Sequence, residues 1–142
     1  MPEILFRGKK TYGGGWIEGC LIQAENFCCI LQEEEKANAW DYPYLDGKLG
    51  HIDGTVDPVD PETVGQFTGI SDANDTKIFE GDIVEIAKED EPFKVEWCED
   101  SARFVLSAST FCCDFDNYWG WEIEVIGNIH DNPELLGGAE DD

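Results

Sequence analysis

The chain has 142 residues, 42% of them hydrophobic, with five Trp, eight Phe and four Tyr; this is enough to pack one domain, or one domain with a small companion, and too apolar for global disorder. Thirty-two acidic residues against nine basic ones leave a formal net charge of -23, which argues against direct binding to a phosphate backbone, because no surplus of Lys and Arg exists to displace counterions. No apolar run reaches the roughly 18 residues of a membrane span, and Met1-Pro2-Glu3-Ile4 lacks the basic and apolar regions of a secretory signal, so the expected location is the cytoplasm, without a membrane partner.

In chain order, Glu3 to Arg7 reads as a strand and Gly8 to Gly15 as a glycine-rich loop. Trp16 to Gln23 is a second strand with Trp16, Cys20 and Ile22 on one face, and Asn26 to Gln32 a third. Glu33 to Asp60, with its prolines and glycines, is irregular except for a short strand near Leu49 to Val56. Thr63 to Ile70 is a strand, Ser71 to Thr76 a hairpin turn built by Asp and Asn, and Lys77 to Glu80 the returning strand. Gly81-Asp82 marks a bend into Ile83 to Ala87. Phe93, Val95 and Trp97 alternate with Lys94 and Glu96, and Arg103 to Ser107 alternates too. Trp121, Ile123, Val125 and Ile129 share one face of a last strand, and Asp131-Asn132-Pro133-Glu134 has the capping residue, Pro and early acid of a helical start.

Little in this pattern carries catalytic chemistry. The six cysteines form no Cys-x-x-Cys pair and the His residues are only His51 and His130, so reduced, apolar thiols explain them better than zinc ligands. Asp72, Asn74 and Thr76 alternate as at the start of a calcium loop, but Lys77 stands where glycine is needed and Ile83 where glutamate is needed; a capped turn accounts for the same residues. Asp82 reads as a carboxylate accepting backbone N–H groups, without an acid/base partner. Gly-x-Ser-x-Gly, phosphate-binding loops and dinucleotide fingerprints are absent. No catalytic residue, cofactor or metal is therefore expected. Phe111, Phe115, Tyr118 and Trp119, close to Trp121 and interleaved with Asp114, Asp116 and Asn117, are read either as core or as anchors for another protein or another subunit.

Thr63-Val64-Gly65-Gln66-Phe67-Thr68-Gly69-Ile70, Asp72 and Ile78-Phe79-Glu80-Gly81-Asp82-Ile83-Val84 resemble the central signature of the YopX family. Glu124-Val125-Ile126-Gly127-Asn128-Ile129-His130-Asp131-Asn132-Pro133-Glu134-Leu135-Leu136 resembles its closing motif, and Phe6-Arg7-Gly8-Lys9 with Trp16 and Gly19 its opening strand pair. Asp75 stands where members often have Gly. The resemblance implies a phage or prophage accessory protein of unestablished activity, acting in the host cytoplasm. It also implies a mainly β fold with a small antiparallel SH3-like barrel core, placed here at residues 61–142, after an N-terminal β segment at residues 1–60 and before a short C-terminal helical turn.

Gly69, Asp72, Gly81, Asp82, Gly127 and Asn128 then serve as turns and scaffold. The expected function is a non-enzymatic module binding a host or phage protein, with homo-oligomerisation left open. The alternatives are an acidic nucleic-acid mimic occupying a DNA-binding protein, an enzyme, and a direct nucleic-acid binder. Trp97 and Trp121 are expected to meet in the core. On that reading Trp97→Ala costs about 3–5 kcal/mol, and Asp72→Ala, a lost turn cap, about 1 kcal/mol in a denaturant titration.

Overall fold

The computed structural model describes residues 4–33, 54–109, 112–115, 118 and 120–136; Phe111, Trp119, Asp116, Asn117, His51 and the acidic tail lie outside the described residues. Eleven strands are found there: β1 (Phe6–Lys9), β2 (Trp16–Ala24), β3 (Phe27–Glu33), β4 (Gly54–Pro58), β5 (Gly65–Ser71), β6 (Lys77–Phe79), β7 (Asp82–Ile86), β8 (Phe93–Cys98), β9 (Arg103–Ser107), β10 (Cys112–Asp114) and β11 (Ile123–Asn128). The helical content among these residues is confined to 3-10 conformation, which includes the turns Pro61–Thr63, Gly120–Glu122 and Pro133–Leu136 and the single residue Phe115. The chain divides into two compact units, Leu5–Val64 and Gly65–Asp142 with Met1–Ile4.

In the unit Leu5–Val64, β4, β3, β2 and β1 pair in that order, all antiparallel. Its core is Ile17, Cys28, Ile30 and Val59, with Phe6, Leu21 and Val64 packed against them. The inward face of β2 is therefore that of Ile17 and Leu21, and the face shared by Cys20 and Ile22 points to solvent, a choice the sequence left open. The cause is visible in Cys20-Leu21-Ile22 and Phe27-Cys28-Cys29-Ile30-Leu31: both parities are apolar, so alternation cannot choose a side. The turn at Pro61–Thr63 is fastened by Thr63, whose hydroxyl donates to the Asp60 carbonyl at 2.6 Å and accepts the Lys9 N–H at 2.9 Å.

In the unit beginning at Gly65, five strands pair in the order β10-β9-β8-β7-β11, all antiparallel, and β5 and β6 form a hairpin. Strand β7 lies in the sheet interior and is buried at Asp82, Ile83, Val84 and Ile86. The core gathers Ile78, Val84, Ile86, Phe93, Val95, Leu106, Phe115 and Ile123. Gly81, at φ +94°, turns the chain between β6 and β7 while its N–H donates to the Val95 carbonyl and its own carbonyl accepts from Ile129. The fold is mainly antiparallel β in open sheets; among the described residues the strands do not close into a barrel, as the resemblance had implied. The edge strand β10 is three residues long, and the outer edge of β11 is taken by the Asp72 turn rather than by another strand. β10 is a strand that the sequence pattern did not mark.

Two tryptophans depart from expectation. Trp97 is 43% exposed and Trp121 is 68% exposed. Trp97 lies toward the end of β8, beyond the depth of the core, with its ring edge-on to Phe104 at 5.0 Å between centroids. Trp121 sits in the 3-10 turn Gly120–Glu122, so the strand parity that would have aligned it with Ile123 does not apply, and a bulge between Val125 and Gly127 breaks the alternation again before Ile129. Phe93, fully buried at the start of β8, takes the role expected of Trp97. Phe93→Ala is expected to cost about 3–5 kcal/mol in a urea titration, and Trp97→Ala about 1–2 kcal/mol, the loss of one partly exposed aromatic pair; equal losses for the two variants would contradict this core.

Candidate functional site

The hairpin turn after β5 is built around Asp72, which is only 7% exposed. One carboxylate oxygen, Oδ1, accepts the N–H groups of Asn74 and Thr76, both at 2.8 Å. The other, Oδ2, accepts the N–H of Val125 in β11 at 2.9 Å, and the neighbouring Ala73 N–H donates to the Ile123 carbonyl at 2.9 Å. Burial alone would raise the pKa of this carboxyl; the N–H groups of Val125, Thr76 and Asn74 outweigh it and hold the group below the ordinary aspartate range. Asp75 takes the left-handed conformation, φ +66°, that the turn requires. Calcium-loop geometry is not formed, because the oxygens of Asp72 are directed at backbone donors.

Asp82, 1% exposed, accepts the Phe79 N–H at 2.7 Å through Oδ2 and so closes the bend at Gly81. At the end of β11, the Asn128 side chain accepts the N–H groups of His130 and Asp131, both at 2.9 Å, while the Asn132 Oδ1 accepts the Asn128 N–H at 3.2 Å. A Cβ on Gly127 would meet that Asn132 oxygen at 2.6 Å, so a larger residue there would have to displace the Asn132 side chain that accepts the Asn128 N–H. Gly69 adopts φ +92° at an open position on β5. The signature residues are thus turn makers.

Of the aromatic cluster, Phe115 is buried in the core and Tyr118 packs against it, 6.4 Å from the Phe93 ring; Phe111 and Trp119 lie outside the described residues. The Tyr118 hydroxyl donates to Glu89 at 2.9 Å. Burial first, then the bonds to Glu89 and Cys113, push its pKa well above the ordinary tyrosine range. Phe115 is thus part of the core, while Tyr118 is half-buried. Among the described residues, the exposed ring of this region is Trp121.

Trp121 stands on the wall of a groove of about 410 Å³. The end of β7 and the turn after it supply Glu85, Glu89, Asp90 and Glu91, and the chain entering β11 supplies Glu122 and Glu124. Ala73, Ile86, Ala87, Pro92 and Ile123 complete the lining. Lys88, at φ +76°, makes the tight turn that brings the acids together, and the Ala87 N–H donates to the Glu122 carbonyl at 2.9 Å. The Ser109 hydroxyl and N–H donate to Glu91 Oε1 at 2.7 and 3.1 Å and lower its pKa, which keeps it charged. Glu85 and Glu124 are direct partners across the β7–β11 ladder. Like charges placed opposite one another in a sheet are destabilising. Among the described residues no three His, Cys, Asp or Glu side chains are grouped so as to hold a metal ion. The sequence showed these acids but not their convergence; the pairing of Glu85 with Glu124 depends on tertiary register.

The architecture is that of a small, mainly antiparallel β protein with an acidic, tryptophan-walled groove. The chain belongs to the YopX family, described as YopX protein, which it matches over residues 5–137. Among solved structures, protein EF1440 from Enterococcus faecalis is similar in fold, with a TM-score of 0.52 at 22% identity, covering 96% of this chain and 99% of that one. No curated protein matches the chain. Among the described residues no helix is long and apolar enough to cross a membrane.

Asp72→Asn is expected to cost about 2–3 kcal/mol at neutral pH, because an amide cannot serve all three N–H donors as a carboxylate does. This exceeds the cost of a turn cap, since one of the donors lies in β11. A carboxyl whose folded pKa lies below its unfolded value of about 3.9 contributes stability at higher pH and loses it as pH falls through the folded pKa. Urea titrations at pH 7 and pH 2 should therefore show the gap between wild type and Asp72→Asn narrowing in acid; a gap independent of pH would contradict the assignment.

Proposed function

We propose that this chain is a non-enzymatic protein-binding module of phage type, acting in the host cytoplasm, and that its acidic groove receives a basic segment of a host or phage protein. The carrying observation is the juxtaposition of the exposed Trp121 indole with the opposed Glu85–Glu124 pair and their acidic neighbours. A Lys or Arg side chain entering there would lie against the indole face, a favourable place for a cation. It would also neutralise carboxylates that oppose one another in the free protein. The net charge of -23 would steer such a partner toward the chain over long distances at low salt.

The acidic nucleic-acid mimic is the second reading, favoured by the same clustering of carboxylates. It differs in a measurable way: a mimic competes with DNA for its target, and the target's DNA-binding surface is the one protected.

The first test is calorimetric titration with an Arg/Lys-rich peptide as probe. Binding should weaken steeply with salt, and Trp121→Ala should reduce affinity about tenfold or more. Glu85→Gln combined with Glu124→Gln should weaken binding while raising stability by about 0.5–1 kcal/mol, because the pair is repulsive in the free protein. Affinity unchanged by both sets of substitutions would remove the groove from the function.

A further inference from the structure

The outward face of the β2–β3–β4 sheet carries a second binding surface. Register places Cys20 opposite Leu31, Ile22 opposite Cys29 and Ala24 opposite Phe27, and then Cys29 opposite Pro58 and Leu31 opposite Val56. Paired residues of a ladder, and residues two apart along a strand, share one face. Cys20, Ile22, Ala24, Phe27, Cys29, Leu31, Val56 and Pro58 therefore form one continuous surface with no charged side chain on it. Phe27 is 52% exposed, Val56 54% and Ile22 40%. The opposite face of the same strands is already packed in the core with Ile17, Cys28 and Ile30, so the outward face is not needed to build this unit. An antiparallel sheet that buries one face ordinarily turns a polar face to water, and this one does not.

We infer that this face is the contact surface of a homodimer, two copies packing their β2–β3–β4 sheets face to face about a two-fold axis. Three observations favour a second copy over another occupant. The surface is made of aliphatic, aromatic and thiol side chains throughout, so against itself it is complementary without any matching charges. Two chains of net charge -23 repel wherever they present carboxylates, and these eight positions are free of them. The polar boundary begins at the next rung of β2, where Glu18 is exposed and opposite Arg7, so that an apolar centre is bordered by charge as in protein interfaces generally. The size sets the strength. Three strands about 4.8 Å apart, spanning some five residues at about 3.3 Å, give a flat footprint of roughly 240 Å² a side, below the largest apolar patches on ordinary monomers at about 300–600 Å². Two such patches together bury less than about 1,200 Å², the class of weak and reversible complexes. The dimer should therefore form at micromolar or higher concentration, and should tighten with added salt as the repulsion between the acidic chains is screened.

Sedimentation equilibrium of the full chain from about 1 to about 300 μM, a span suited to a weak interface of this size, tests the inference. A reversible monomer–dimer equilibrium, stronger at higher salt, is expected. Ile22→Lys and Phe27→Lys should each weaken dimerisation at least tenfold. Because each lowers the magnitude of the net negative charge, added repulsion between the chains cannot explain the loss. Both side chains project outward, and an unchanged circular dichroism spectrum and melting temperature would show that the fold is kept. Tyr12→Lys, at an exposed aromatic in the loop after β1, should leave the dimer intact. A monomer across the whole concentration range, or a dimer that survives both face substitutions, would overturn the inference.

Discussion

The buried carboxylate of Asp72 is the interaction on which the unit beginning at Gly65 depends. Its three backbone bonds do two separate jobs: Oδ1 shapes the turn that follows β5, and Oδ2 fixes that turn to β11. The carboxylate thus replaces the strand that would otherwise pair with the outer edge of β11. An open edge is a liability in any sheet, and here it is covered by one side chain and the Ala73 N–H. The same device caps the Ile123–Val125 stretch of that edge in an open sheet. It also explains the cluster of Asp and Asn in this turn, which resembles a cation site in sequence and is occupied by the protein's own amides.

Charge organises the rest of this unit. A chain this acidic must place carboxylates near one another, and most can be placed where water screens them. Glu85 and Glu124 are not arranged that way, since the ladder sets them opposite each other beside Trp121. A sheet assembled for stability alone would put a Lys or Thr on one side of such a pair. This repulsion is retained at the wall of a concave site next to an exposed indole, and it is what the proposed basic partner would relieve.

The unit Leu5–Val64 poses the complementary problem. Its strands are apolar on both faces, and only one face is consumed by its own core. The two units therefore present different chemistries, an acidic groove on one and an uncharged apolar sheet on the other. Each would recognise a different kind of surface, and the salt dependence of the two contacts should be opposite in sign, since screening weakens the first and strengthens the second.

The sequence by itself determined most of the local structure. Turn residues placed the bends at Asp72 and Gly81, alternation placed β8 and β9, and the motif from Gly127 to Leu136 marked the turn that closes β11. These features are local: each rests on what one residue's backbone can adopt or on which side chains alternate, and the chain carries that information in order. Membership of the YopX family was legible for the same reason, since its signature consists largely of such turn residues. Which face of an ambidextrous strand goes inward was decided by tertiary packing, because Cys20-Leu21-Ile22 reads equally well in either parity. Tertiary structure also decided the fate of the tryptophans: Trp97 keeps the face of Phe93 and Val95 but extends past the core, and Trp121 falls in a 3-10 turn, so period-two reasoning could not give the burial of either. The convergence of Glu85, Glu124 and Trp121 required the β7–β11 register, a pairing between residues nearly forty positions apart whose alignment no local pattern encodes.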